Sequence, residues 1–97
     1  MPALADIGSL ITSDPKIRSG RPIIAGTGIT VHRIAGWYKM GLSPEEIVDN
    51  YGYISLAQVH AALAFYHANQ EQVERELTEE DRQYDELARQ YPRLRPA

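Results

Sequence analysis

Apolar positions change spacing three times along this chain, and each spacing predicts a different element. Residues 1–9 show no period and are expected to be a flexible N-terminus. Leu10, Ile11 and Thr12 favour a short strand, and Ser13-Asp14-Pro15 a turn. Lys16 to Arg18 reads as extended, with a second turn at Ser19-Gly20. In PIIAGTGITV, residues 22–31, the β-branched Ile23, Ile24, Ile29 and Val31 are punctuated by Gly26 and Gly28, the pattern of a hairpin or bulged strand. From residue 30 the spacing becomes helical. Thr30 is an N-cap for a helix from about Val31 to Met40, with Ile34, Trp37 and Tyr38 on its buried stripe and Gly41 at the left-handed C-cap. Ser43-Pro44-Glu45-Glu46 then combines a cap, a proline in the first turn and a capping-box glutamate. It opens a short helix that Gly52 ends near Asn50 and Tyr51.

Ser55, with Gln58 in the capping-box position, starts a third helix that runs to about His67 or Asn69. Ile47, Val48, Leu56, Val59, Leu63 and Tyr66 supply a core. Three helices with one-turn connections and a short middle member predict a helix-turn-helix arrangement. Beyond it, Val73, Leu77, Tyr84, Leu87 and Tyr91 recur at helical spacing until Pro92 and Pro96. Residues 71–90 therefore read as an amphipathic acidic helix. Thr78, followed by Glu79, Glu80 and Asp81, is a second cap signal that marks where it could break.

Charge sharpens this division. Residues 1–60 carry five acids and five bases, and every one of those bases precedes residue 40; residues 61–97 carry eight acids and five bases. The whole chain, at net charge −3, has no field for strong non-specific nucleic-acid binding. A local patch remains. Lys16, Arg18, Arg21, Arg33 and Lys39 are candidate phosphate contacts of a β arm and first helix, set against scattered solvated charges. The third helix lacks the cations of a base-reading helix, since residues 50–70 contain no charged side chain. Opposite its core stripe lie Ala57, Ala61, Ala64 and Ala68, with Phe65 at the edge. This smooth face is either solvated or covered by the tail helix or a second subunit.

Other chemistry is thin. Gly26-Thr27-Gly28 lacks the Gly-Lys-Ser/Thr ending of a phosphate loop and reads as a structural turn. His60 and His67 are two helical turns apart and no His-Glu-x-x-His segment is present, so no metal or other cofactor is expected. No nucleophile elbow or held acid–base pair is evident, and no enzymatic activity is expected. Trp37, Tyr38, Tyr51, Tyr53 and Tyr66 read as core or core-edge rather than as a nucleobase-stacking set. Cysteine is absent, which suits a cytoplasmic protein. No secretory leader is expected, and the most apolar stretch, residues 54–68, is too short to span a bilayer.

Taken together, Ile11, Asp14-Pro15, Gly20, Pro22, Ile24, Gly26-Thr27, Ile29 and Val31, followed by Gly41-Leu42-Ser43, Glu45-Glu46-Ile47, Tyr51, Leu56, Val59 and Ala61-Ala62-Leu63, resemble the family catalogued as domain of unknown function 433. The resemblance covers about residues 10–67. It implies a mainly α, homeodomain-like tri-helical core preceded by a small β element. Some members look like antitoxins of PIN-domain RNase toxins, which implies toxin binding and repression of a shared operon. Two positions depart from the pattern. Gly28 stands where an arginine is frequent, and Tyr51-Gly52-Tyr53-Ile54 replaces a Tyr-Pro-x-Leu segment.

The expected organisation is a flexible segment 1–9, a β arm and tri-helical domain 10–70, and an acidic helical tail 71–97. The expected function is a non-catalytic, antitoxin-like homodimer that binds a PIN-domain-like toxin through Val73, Leu77, Tyr84, Leu87 and Tyr91. The alternatives are an autorepressor that contacts operator DNA through its basic N-terminal region, and a structural dimerisation domain that uses the alanine face.

Overall fold

The computed structural model describes residues 6–90. Asp6 caps a single 3-10 turn over Ile7–Leu10 through the Gly8 amide, so part of the segment expected to be loose is folded. Strand β1 (Ile11–Thr12) pairs antiparallel with β2 (Ile23–Ile24), in the register Ile11 to Ile24 and Thr12 to Ile23. The Gly-Thr-Gly segment closes the return from β2. The Thr27 hydroxyl donates to the Ile24 carbonyl at 2.8 Å and accepts from the Ile29 amide at 3.0 Å. Its polar atoms are thus spent on the turn, as the structural reading of this motif requires.

Of Lys16 to Arg18, Ile17 is extended (φ −118°, ψ 122°) and Arg18 is not. Arg18 (φ 50°) and Ser19 (φ 57°) both adopt the left-handed conformation, followed by Gly20 at φ 82°. Two non-glycine residues in succession there are unusual. The turn is held at both ends. The Gly20 amide donates to the Ile17 carbonyl and Arg21 to Arg18, while the Arg18 side chain reaches back across the hairpin.

Three helices follow, α1 (Val31–Lys39), α2 (Pro44–Tyr51) and α3 (Leu56–Ala68), with N-caps Thr30, Ser43 and Ser55. Both capping boxes read from the sequence are formed. Gly41 and Gly52 take positive φ at the ends of α1 and α2, and the Leu42 amide donates to the Trp37 carbonyl as in a Schellman ending. The three starts share one further feature. The residue before each cap and the fourth helical residue after it are apolar: Ile29 with Ile34, Leu42 with Ile47, Ile54 with Val59. All six belong to the core or pack against it, which is the residue pattern of a hydrophobic staple.

That pattern explains two departures from the expected core. Ile54, not Leu56, enters the core beside Val59; Leu56 occupies the first helical position and is 40% exposed. On α1 the buried side chains are Val31, His32, Ile34 and Ala35. Tyr38 is exposed and meets the His67 and Tyr66 rings edge-on, at centroid distances of 5.7 and 6.5 Å. Trp37 is half-buried and donates through its indole nitrogen to the Tyr51 hydroxyl at 3.3 Å.

Asn69 interrupts the helical path for one residue (φ −128°, ψ 34°), and its side-chain amide caps the Phe65 carbonyl at 3.0 Å. Helix α4 (Gln70–Gln90) starts immediately after it and runs unbroken through Thr78. The second cap signal is overridden because Glu, Gln, Arg and Leu dominate the flanks and are strong helix formers. Three pairs within the helix add support: Glu71–Arg75, Glu79–Arg82 and Glu86–Arg89. Among the described residues no helix is long and apolar enough to cross a membrane.

Ile47 is fully buried at the fourth position of α2. Ile47→Ala is expected to cost about 2–5 kcal/mol, whereas Leu56→Ala should stay within about 0.5 kcal/mol. Urea titration followed by far-UV circular dichroism measures both.

Candidate functional site

Of the features singled out in the sequence, the basic residues and the acidic helix meet. The apolar stripe of α4 begins with Val73, which is buried in the core, and the half-buried Leu77. Carboxylates flank that stripe, and three of them land on the arm or α1. Glu74 accepts from Lys39 Nζ at 2.9 Å, Glu76 contacts His32 Nε2 at 2.8 Å, and Glu80 accepts from the Arg21 guanidinium. These contacts join residues 35, 44 and 59 positions apart in sequence. The Lys39 contact has clear electrostatic consequences. The Glu74 carboxylate beside it pushes the Lys39 ammonium up. Hydrogen bonds from Lys39 first, and from Gln70 second, hold Glu74 below the ordinary carboxylate range. Beneath this pair, burial pushes the Tyr66 phenol up.

The five candidate phosphate contacts do not form one patch. Arg21 and Lys39 are paired with α4. Arg18 donates through Nε to the Gly28 carbonyl at 3.0 Å, and its guanidinium lies over the space that a side chain at position 28 would enter. The Arg18 guanidinium thus lies beside Gly28, brought from ten residues earlier in the chain. Lys16 and Arg33 are exposed and have no ion-pair or side-chain hydrogen-bond partner among the described residues. Arg18, Arg21 and Arg33 line one open groove of about 970 Å³ between the arm, α1 and α4; its floor and far wall include Trp37, Met40, Leu77, Glu80, Asp81 and Tyr84. Lys16 and Lys39 lie outside it.

Sequence reasoning missed His32. It is 2% exposed, shares its Nε2 with Glu76, and its Nδ1 has no hydrogen-bond partner. It separates the groove from a smaller pocket of about 280 Å³, which Ser13, Ser19, Asn69 and Glu76 also line. The one signal available was its position beside Val31 at the start of α1; its partner lies 44 residues away.

The alanine face of α3 is divided. Ala61 is buried and Phe65 half-buried, on the side where the β arm packs against the helix. Ala57, Ala64 and Ala68 stay exposed, so α4 does not cover this face. On α4, Val73 and Leu77 are engaged by the domain, while Tyr84 and Leu87 are 47% and 45% exposed. Tyr91 lies outside the described residues. Among the described residues, no group of three or more His, Cys, Asp or Glu is placed to hold a metal ion.

Two comparisons connect this arrangement to known proteins. The family model described as "Protein of unknown function (DUF433)" matches residues 11–66, which span β1 to the last turn of α3. A crystal structure of a DUF433 member protein from Anabaena variabilis is similar to this chain at TM-score 0.67 and 27% sequence identity, covering 72% of this chain and 69% of that one. No curated protein matches the chain. The family match ends four residues before α4 begins, so the seam joins matched arm and α1 residues to a helix outside the matched segment.

The Lys39–Glu74 pair sets a pH window for the docking of α4. Glu74 is depressed, so its contribution is complete above the unfolded carboxylate range and is lost as pH falls through its folded value. Lys39 is raised, so its contribution is complete below the unfolded lysine range and is lost as pH rises through its folded value. Hydrogen exchange is expected to show amides of 73–80 losing protection on acidification before those of α3. Glu74→Gln should remove the Lys39-linked part of that early acid transition.

Proposed function

The chain belongs to the DUF433 family, and on that premise we propose that it is a non-catalytic, antitoxin-like regulatory module that binds a partner protein through the outer half of α4. The observation that carries this reading is the division of a single apolar stripe. Val73 and Leu77 are used by the chain's own domain, while farther along the same stripe Ala88 is buried and Tyr84 and Leu87 keep about half of their surface exposed. An amphipathic helix that projects such a stripe suits the helix-in-groove mode of recognition. The acids supply less of the attraction than the composition suggests. Glu74, Glu76 and Glu80 face the domain, and Glu71, Glu79 and Glu86 face arginines of their own helix. The partner class, a PIN-domain-like ribonuclease, comes from the family resemblance. A homodimer is part of the reading, with exposed Ala57, Ala64 and Ala68 as the surface a second copy would approach.

A second reading, an autorepressor that contacts DNA phosphates, is favoured by Arg18, Arg21 and Arg33 lining one groove. The uncharged α3 argues against base reading by that helix.

Co-expression with a PIN-domain protein encoded beside this chain tests the first reading. A stable complex that silences the ribonuclease is expected. Tyr84→Ser combined with Leu87→Ser should weaken it by roughly 30-fold or more, the size of a lost interface anchor, with circular dichroism melts establishing that the variant folds. Equal affinity of the double variant and the parent chain would place the interface elsewhere.

A further inference from the structure

The groove beside α4 holds three guanidinium groups in different states. Arg33 has no ion-pair or side-chain hydrogen-bond partner among the described residues. Arg18 uses its Nε on the Gly28 carbonyl. Arg21 alone is neutralised, by Glu80 on the opposite wall. The backbone goes to unusual lengths to put Arg18 there, because the left-handed pair Arg18-Ser19 carries the conformational cost of that turn. A carboxylate on a guanidinium offers what a phosphodiester offers: two anionic oxygens that accept parallel N–H donors. Arginine is the side chain whose planar fork suits both.

We propose that this groove is a binding site for a phosphodiester backbone, with Arg18 and Arg33 as its standing contacts and Glu80 as a built-in competitor for the third, Arg21. The proposal rests on the second reading above and gives it a location, the seam between the arm, α1 and α4 rather than helix α3. In the resting chain Glu80 holds Arg21 and Asp81 adds a second negative charge to the same wall. Nucleic acid enters against that wall and binds weakly. Displacing Glu80 leaves Arg21 to join the other two on the backbone. The Arg21–Glu80 pair is suited to exchange because it is solvent-accessible, at 28% and 48% side-chain exposure; pairs of this kind contribute little to stability and weaken with salt. Helix α4 need not unfold for the exchange, since Glu71, Glu79 and Glu86 are paired within the helix and Val73 anchors its first turn.

The test uses the full chain, fluorescence anisotropy at low salt, and labelled oligonucleotides of one arbitrary sequence in duplex and single-stranded form. Glu80→Gln and its neighbour Glu79→Gln change net charge equally and each releases one arginine, Arg21 or Arg82. Only Glu80 faces the groove. Glu80→Gln is expected to tighten binding roughly fivefold, the upper size of one exposed charge pair, and Glu79→Gln by less than about twofold on the same scale. Arg33→Gln should weaken binding and lower the slope of log affinity against log salt by about one. Circular dichroism melts establish that all variants fold. The Glu80→Gln response in either strand form supports the proposal. Equal tightening by both glutamine variants would overturn the competitor role while leaving nucleic-acid binding standing. An unchanged affinity in Arg33→Gln would move the site out of the groove. No binding by any folded variant would remove the second reading and this site together.

Discussion

A helix of eight or nine residues does not hold itself together in water, because nucleation costs more than so few hydrogen bonds return. Helices α1 and α2 are of this length, and the rest of the molecule depends on how they are kept. Each begins with a side-chain cap that satisfies orphan amides, and each places an apolar residue on either side of that cap into one shared core. Helix α3 repeats the device with Ser55, Ile54 and Val59. The three starts are therefore fixed against a common centre, and the faces left over are set by default. This is why Leu56 and Tyr38, good core residues by type, end at the surface.

Helix α4 obeys a different rule. Its length and intrahelical pairs support it locally, and Val73 anchors its first turn. Its orientation is then governed by charge. Acids on the inward edges meet Lys39, His32 and Arg21, while the remaining paired acids meet arginines three or four positions along the same helix. Three of the acids in the second part of the sequence thus meet two of the bases and one histidine of the first in a single contact. Those groups are spent within the chain, so the half-exposed Leu87 on α4 and the Arg18 and Arg33 guanidinium groups in the groove are among what it has left to offer.

Much of this was legible locally. Ser43, Ser55, Gly41 and Gly52 act through neighbours within six residues, and the return around Gly26 and Gly28 is closed mainly by bonds among residues 24–29, so local order in the chain suffices to read them. The four-element helical layout followed from the same signals. What escaped was non-local. The left-handed turn at Arg18-Ser19 is held from Gly28, His32 is set by Glu76, and Arg21 by Glu80. Thr78 shows the converse, a strong local cap signal that helix-forming flanks on both sides outweigh. Tail and arm were each read correctly as acidic and basic, yet their charges could be assigned to each other only once the chain was folded.

The single non-helical residue at Asn69 has a mechanical consequence. It joins two stiff rods, and the second, at 21 residues, is about 31 Å long. Turning such a rod by about 10° about that joint carries its far end through about 5 Å, close to one helical pitch. Tyr84 and Leu87 ride on the outer part of this lever, whereas Glu74 and Glu76 sit near its fulcrum. An adjustment too small to break the inner contacts is thus amplified where a partner would grip, and a pull on the outer end returns to the fulcrum as a small displacement with greater force.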